Sequence, residues 1–98
     1  MEKELLKQKV CAAIDAHADK IKAICASIND EPELGFKEVK TSAKVAEFMR
    51  ELGLEPQTGL AINGVKARAK GGKPGPTAAV LGELDAVGCP ASAKADPA

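Results

Sequence analysis

Apolar residues recur at helical spacing through the first third of the chain. Leu6, Val10, Ile14, His17, Ile21, Ile24 and Ile28 step by three or four, while Lys7, Lys9, Asp15, Asp19, Lys20 and Lys22 fall mostly off that stripe. The pattern predicts one long amphipathic helix over 3–28. Pro32 stops it, because the residue before a proline avoids the α region, and Asn29 and Asp30 suit that stop. Pro32-Glu33-Leu34-Gly35 then reads as a turn in which Gly35 takes positive φ. Val39, Ala43, Ala46, Met49 and Leu52, broadened by Phe48, predict a second helix over 38–52. Gly53 just past that stripe is placed to end it.

After Gly53 the punctuation changes. Pro56, Gly59, Gly64, Gly71, Gly72, Pro74, Gly75 and Pro76 separate three short strand candidates at 54–57, 64–70 and 77–84. Val65, Ala67 and Ala69 alternate with Lys66, Arg68 and Lys70, the period of a half-buried strand. Asn63-Gly64 is a turn signal. The run 71–76 reads as a hairpin loop; it lacks the Gly-Lys-Ser/Thr ending and following helix of a phosphate loop. Thr77 to Gly82 is almost continuously apolar, as in a strand buried on both faces of an α/β sheet. Residues 88–98 are small, proline-containing and aperiodic, and read as a tail.

Composition qualifies this core. The hydrophobic fraction is 45%, but 18 residues are Ala and only 21 are Leu, Ile, Val or Phe. Ala removes little area from water at about 25 cal/mol per Å², and small domains bury the smallest share of their surface. The 98 residues therefore form something modest, or part of a larger core. Fourteen basic and fourteen acidic residues cancel. The neutral chain lacks the electrostatic footprint of a nucleic-acid or anionic-membrane binder. Two Phe without Trp or Tyr make no base-stacking platform. No apolar run approaches the ~20 residues that span a bilayer, and Met1-Glu2-Lys3-Glu4 is too charged for a signal peptide. The expected location is cytoplasmic. The odd cysteine count agrees, with Cys11, Cys25 and Cys89 expected as free thiols. Cys11 and Cys25 on one helix would lie roughly 21 Å apart, beyond disulfide reach.

Candidate chemistry is sparse. His17 interrupts the apolar stripe, but no second ligand stands at i+3 or i+4. It reads as a helix-face histidine partly buried against a neighbour. Glu47 and Glu51 read as a solvated face. Glu83 and Asp85 in Gly82-Glu83-Leu84-Asp85-Ala86 stand two apart, so they point the same way if the strand persists. They also lie where α/β enzymes place ligands, at the C-terminal end of a strand.

Two segments carry a family resemblance. Pro32-Glu33-Leu34-Gly35-Phe36-Lys37-Glu38, with Thr41-Ser42, resembles the signature near the start of M20-type metallopeptidases and amidohydrolases. Gly82-Glu83-Leu84-Asp85-Ala86 resembles the first active-site strand end of the same family. Leu52-Gly53, Thr58-Gly59-Leu60-Ala61 and Gly75-Pro76-Thr77 fall between them in the family's order. The match covers about residues 10–90 and looks most like the aminobenzoyl-glutamate hydrolase branch and related dipeptidases.

The resemblance implies the first part of a three-layer αβα metallohydrolase catalytic domain: two N-terminal helices, then three short strands. It implies a two-metal hydrolase, zinc or manganese, cleaving amide bonds of N-acyl amino acids or dipeptides. Many members have His-x-Asp at this strand end, the His binding metal and the Asp orienting it. Asp85 carries over directly as the catalytic carboxylate. Glu83 occupies the His position as the candidate metal ligand and departs from the pattern. The Cys-Gly-His motif, the Glu-Glu pair and the further ligands expected downstream are absent from the 98 residues. The chain therefore reads as a partial catalytic domain, inactive and metal-free alone, that self-associates or joins the remainder of the catalytic domain. The competing reading is a non-enzymatic α/β interaction module that associates through its sheet edge or long helix.

Overall fold

The computed structural model describes residues 2–88. They fall into two compact units, one ending at Glu31 and the other beginning at Pro32.

The first unit is two helices, α1 (Lys3–Ala16) and α2 (Ala18–Asp30). The single helix expected over 3–28 is broken at His17, whose φ of −107° and ψ of 11° lie in the bridge region. The His17 N–H donates to the carbonyls of Ala13 at 3.2 Å and Ile14 at 3.1 Å, which tightens the last turn of α1 into 3₁₀ form. The His17 carbonyl accepts the Ile21 N–H at 3.0 Å, so α2 begins at once. Neither helix buries a residue. Without tertiary packing a helix is held by propensity alone, and His is among the poorer formers. His17 is exposed rather than packed against a neighbour. Pro32 acts as expected, with α2 ending two residues before it.

The second unit opens with a turn closed by the Lys37 N–H on the Leu34 carbonyl at 2.9 Å. Its left-handed residue is Phe36, at φ 62°, and not Gly35. The turn runs over 34–37, later than expected, so its positive-φ third position falls on Phe36.

Helix α3 (Val39–Glu51) matches the expected second helix. Gly53, at φ 83°, ends it in a Schellman motif: its N–H donates to Arg50 at 2.9 Å and the Leu54 N–H to Met49 at 3.0 Å. The packed face is turned from the one expected. Thr41 and Ala46 are the buried residues, with Val45, Phe48 and Met49 half-buried, while Val39, Ala43 and Leu52 are open.

Helix α3 packs against both strands of a hairpin, β1 (Gln57–Leu60) and β2 (Gly64–Lys66). The strands are antiparallel, with Gln57 opposite Lys66 and Leu60 opposite Gly64. That register leaves one extra residue on β1, a bulge accommodated by Gly59 at φ 72°. The loop is Ala61-Ile62-Asn63, with positive φ at Ala61 and Ile62, so the turn lies one step ahead of the Asn63-Gly64 pair. Gly64 opens β2 because a Cβ there would stand 2.5 Å from the Leu60 carbonyl oxygen.

Three strand expectations change. The candidate at 54–57 shifts to Gln57–Leu60, and the one at 64–70 stops at Lys66. Residues 77–84 form no strand, and Val80 and Leu81 are fully exposed. A strand exists only through a ladder partner for its N–H and C=O groups, and none of the described residues supplies one. The 71–76 segment therefore closes no hairpin. Among the described residues the structure is mixed α and β, three helices with one two-stranded sheet. Of the expected tail over 88–98, residues 89–98 lie outside the described residues, and Cys89 with them.

Candidate functional site

Helix α3 starts without a cap of its own, since Glu38 at its N-cap makes no side-chain cap hydrogen bond. That start leaves backbone donors needing acceptors. Glu33, five residues further back, supplies them. Its carboxylate accepts the Thr41 N–H at 2.6 Å, the Thr41 hydroxyl at 2.8 Å and the Lys40 N–H at 3.2 Å. Thr41 is thereby satisfied although only 2% of its surface is exposed. The Thr41 N–H, above all, holds the Glu33 carboxyl below its ordinary value. Partial desolvation opposes it, and the Thr41 hydroxyl, the Lys40 N–H and the Lys40 charge add to it.

The backbone of Glu33 makes the second link. Its carbonyl accepts the Ala86 N–H at 2.7 Å, which joins the 32–38 segment to the 82–86 segment across some fifty residues of chain. Asp85 Oδ2 then lies 3.8 Å from where a Cβ on Gly35 would be. Ala86 and Leu84 are half-buried in this junction, while Glu83 and Asp85 are exposed. The two sequence-predicted site residues therefore differ. Asp85 sits against the 34–37 turn. Glu83 is exposed, and no strand among the described residues aims it beside Asp85. Glu33 and Thr41 enter the sequence reading only as parts of the family signature, neither with a role of its own. The added signal was a helix start with a poor capping residue and a carboxylate upstream.

Two carboxylates on a short segment do not make a zinc or manganese site. Among the described residues no three His, Cys, Asp or Glu side chains converge. Cys11 and Cys25 are exposed free thiols in the first unit. The donors among the described residues thus do not make up the two-metal centre that the resemblance implies. An open groove on the hairpin, lined by Glu55, Gln57, Lys66, Ala67 and Arg68, contains none of the candidate residues. No helix among the described residues is long and apolar enough to cross a membrane.

No family model matches the chain, and no solved structure matches it significantly. Curated proteins do. Over 61 residues, 61% of this chain, it is 41% identical to "Thermostable carboxypeptidase 2" of Saccharolobus solfataricus, and equally to "Thermostable carboxypeptidase 1" of that organism. Over 87 residues, 89% of this chain, it is 33% identical to "Putative amidohydrolase YhaA" of Bacillus subtilis. The chain spans 16% of the length of each carboxypeptidase and 21% of the amidohydrolase. By sequence it is therefore related to peptidases and amidohydrolases, across a region far shorter than those proteins.

Proposed function

We propose that this chain is part of the catalytic domain of an M20-type, metal-dependent amidohydrolase or peptidase of the cytoplasm. Its substrates would be N-acyl amino acids or dipeptides, and the aminobenzoyl-glutamate hydrolase branch is the nearest in motif form. One observation carries the reading. The two segments that bear the resemblance, far apart in sequence, meet through the Ala86-to-Glu33 hydrogen bond and bring Asp85 to the turn at Gly35. The similarity to the named carboxypeptidases and amidohydrolase supports it independently.

In this reading Asp85 is the chain's functional carboxylate. It is exposed beside a turn whose backbone is fixed, so it is free to accept hydrogen bonds from a ligand-bearing side chain or from substrate. Glu83 is a candidate ligand whose companions lie outside residues 2–88. Alone, the chain neither binds metal tightly nor hydrolyses amides, because two carboxylates without imidazole or thiolate partners are weak ligands for zinc.

Two measurements test this. Calorimetry of the chain with zinc and with manganese should show no sub-micromolar stoichiometric site; finding one would overturn the reading. Mass spectrometry of the native gene product should show a polypeptide or complex well above 10.1 kDa.

A second reading, an interaction module without catalysis, is favoured by the open apolar side chains Leu5, Leu6, Val10, Ile14 and Ile21. It would be preferred if the native product is the 98-residue chain and no companion polypeptide restores hydrolysis.

A further inference from the structure

Glu33 is bonded through both of its ends. Its side chain takes three donors from the first turn of α3, and its main-chain carbonyl takes the N–H of Ala86. We propose that Glu33 is a positioning residue: by anchoring its carboxylate on Lys40 and Thr41 it fixes its own carbonyl, and through that carbonyl holds Asp85 in place relative to α3. The inference rests on the proposed role of Asp85 for its functional meaning, but the geometric claim stands apart from it.

The physical argument begins with what else holds the 82–86 segment. It belongs to no strand or helix. The Ala86 N–H bond is its one backbone hydrogen bond to another part of the fold among the described residues. A carbonyl on a free turn would be a poor anchor, because the acceptor would move with the turn. Glu33 avoids this. Its carboxylate is tied to Thr41, which is 2% exposed and sits on the face of α3 that packs inward. Charge-assisted bonds from backbone N–H groups to a carboxylate are the stronger kind. Rigidity therefore passes from the packed helix to the side chain of residue 33, to its backbone, and to Ala86. Asp85, one residue before, ends against Gly35, two residues after Glu33. Hydrogen bonds of this kind, one step removed from a functional carboxylate, commonly keep it in register.

The test is amide hydrogen exchange, residue by residue, on the full 98-residue chain. Glu33→Ala should speed exchange at Ala86 roughly fivefold or more, the size of change a lost N-cap makes in a local opening. Glu33→Gln keeps an oxygen acceptor and should recover much of that protection, which a role limited to charge would not allow. Gly53→Ala weakens α3 from its other end and should speed exchange at Ala86 clearly less than Glu33→Ala does. Equal acceleration at Ala86 by Gly53→Ala would overturn the proposal, since Glu33 would then matter only through helix stability. So would unchanged exchange at Ala86 in Glu33→Ala. If Glu33→Ala does not fold, the through-hydrogen-bond scalar coupling between the Ala86 nitrogen and the Glu33 carbonyl carbon decides. It should be present in the wild type and weaker in Thr41→Val; its absence in the wild type overturns the proposal. Asp85→Asn should leave all of these readouts unchanged, so a failure of the hydrolase reading cannot be mistaken for a failure of this one.

Discussion

Glu33 is the residue whose ionisation the fold depends on most visibly. Its carboxyl is held below the ordinary 4.5, first by the Thr41 N–H. A depressed folded value means the folded state favours the ionised form. Its contribution is complete above the ordinary value and is lost as pH falls through the lower, folded value. The helicity difference between wild type and Glu33→Gln, followed by circular dichroism, should therefore shrink as pH falls below 4.5. A difference that grows on acidification would contradict the assignment. The glycines separate just as clearly. Gly64→Ala forces a Cβ against the Leu60 carbonyl and should cost about 1–3 kcal/mol in urea unfolding. Gly71→Ala meets nothing within 4 Å and has no left-handed φ, so it should be neutral or slightly stabilising. Gly35 belongs with the second group, since a Cβ there would make only ordinary contact with Asp85.

Among the elements, α3 is held at both ends by identifiable devices and α1–α2 by neither. The Schellman motif at Gly53 satisfies the last carbonyls of α3. Gly53→Ala would place a Cβ in the left-handed region and should destabilise α3 by about 1–2 kcal/mol; urea denaturation followed at 222 nm reads it. The opposite sign is expected at the α1–α2 junction. His17→Ala replaces a poor helix former with the best one at an exposed position, a gain of up to about 0.7 kcal/mol. The helical signal should rise, and 3–30 should approach the single helix that the periodicity suggests. A fall would mean that the His17 imidazole holds the break in place.

For the whole molecule, the decisive fact is how little is buried. Thr41 and Ala46 are the only buried residues described, while Val80, Leu81, Leu6, Val10, Ile14 and Ile21 are exposed. Exposed apolar surface of this kind drives association. Analytical ultracentrifugation of the isolated chain should show self-association, reduced by Ile14→Lys combined with Leu81→Lys. A strict monomer with strand-like amide protection over 77–84 would argue for a self-sufficient domain. If a companion polypeptide supplies the remaining ligands, mixing should restore amide hydrolysis. Asp85→Asn should abolish that activity without preventing assembly, since it removes charge at nearly constant volume.

The local features were legible in sequence because their causes are local. The stop before Pro32, the span of α3, its end at Gly53 and the alternation of Val65 and Ala67 with Lys66 and Arg68 follow from φ restrictions and side-chain periods that need no partner. The free thiols at Cys11 and Cys25 agree with the expectation drawn from the odd cysteine count. Tertiary structure decided what depends on a partner. The apolar run at 77–84 has strand composition but, among the described residues, no ladder to join, so it forms no strand. No residue of the 3–30 segment is buried, and the helix expected there breaks at His17. The turn at 34–37 put Phe36, not Gly35, in the left-handed region. Above all, the meeting of Glu33 with Thr41 and Ala86 could not be read from composition or period. It depends on where a backbone carbonyl and an uncapped helix start come to lie in space, and only the fold determines that.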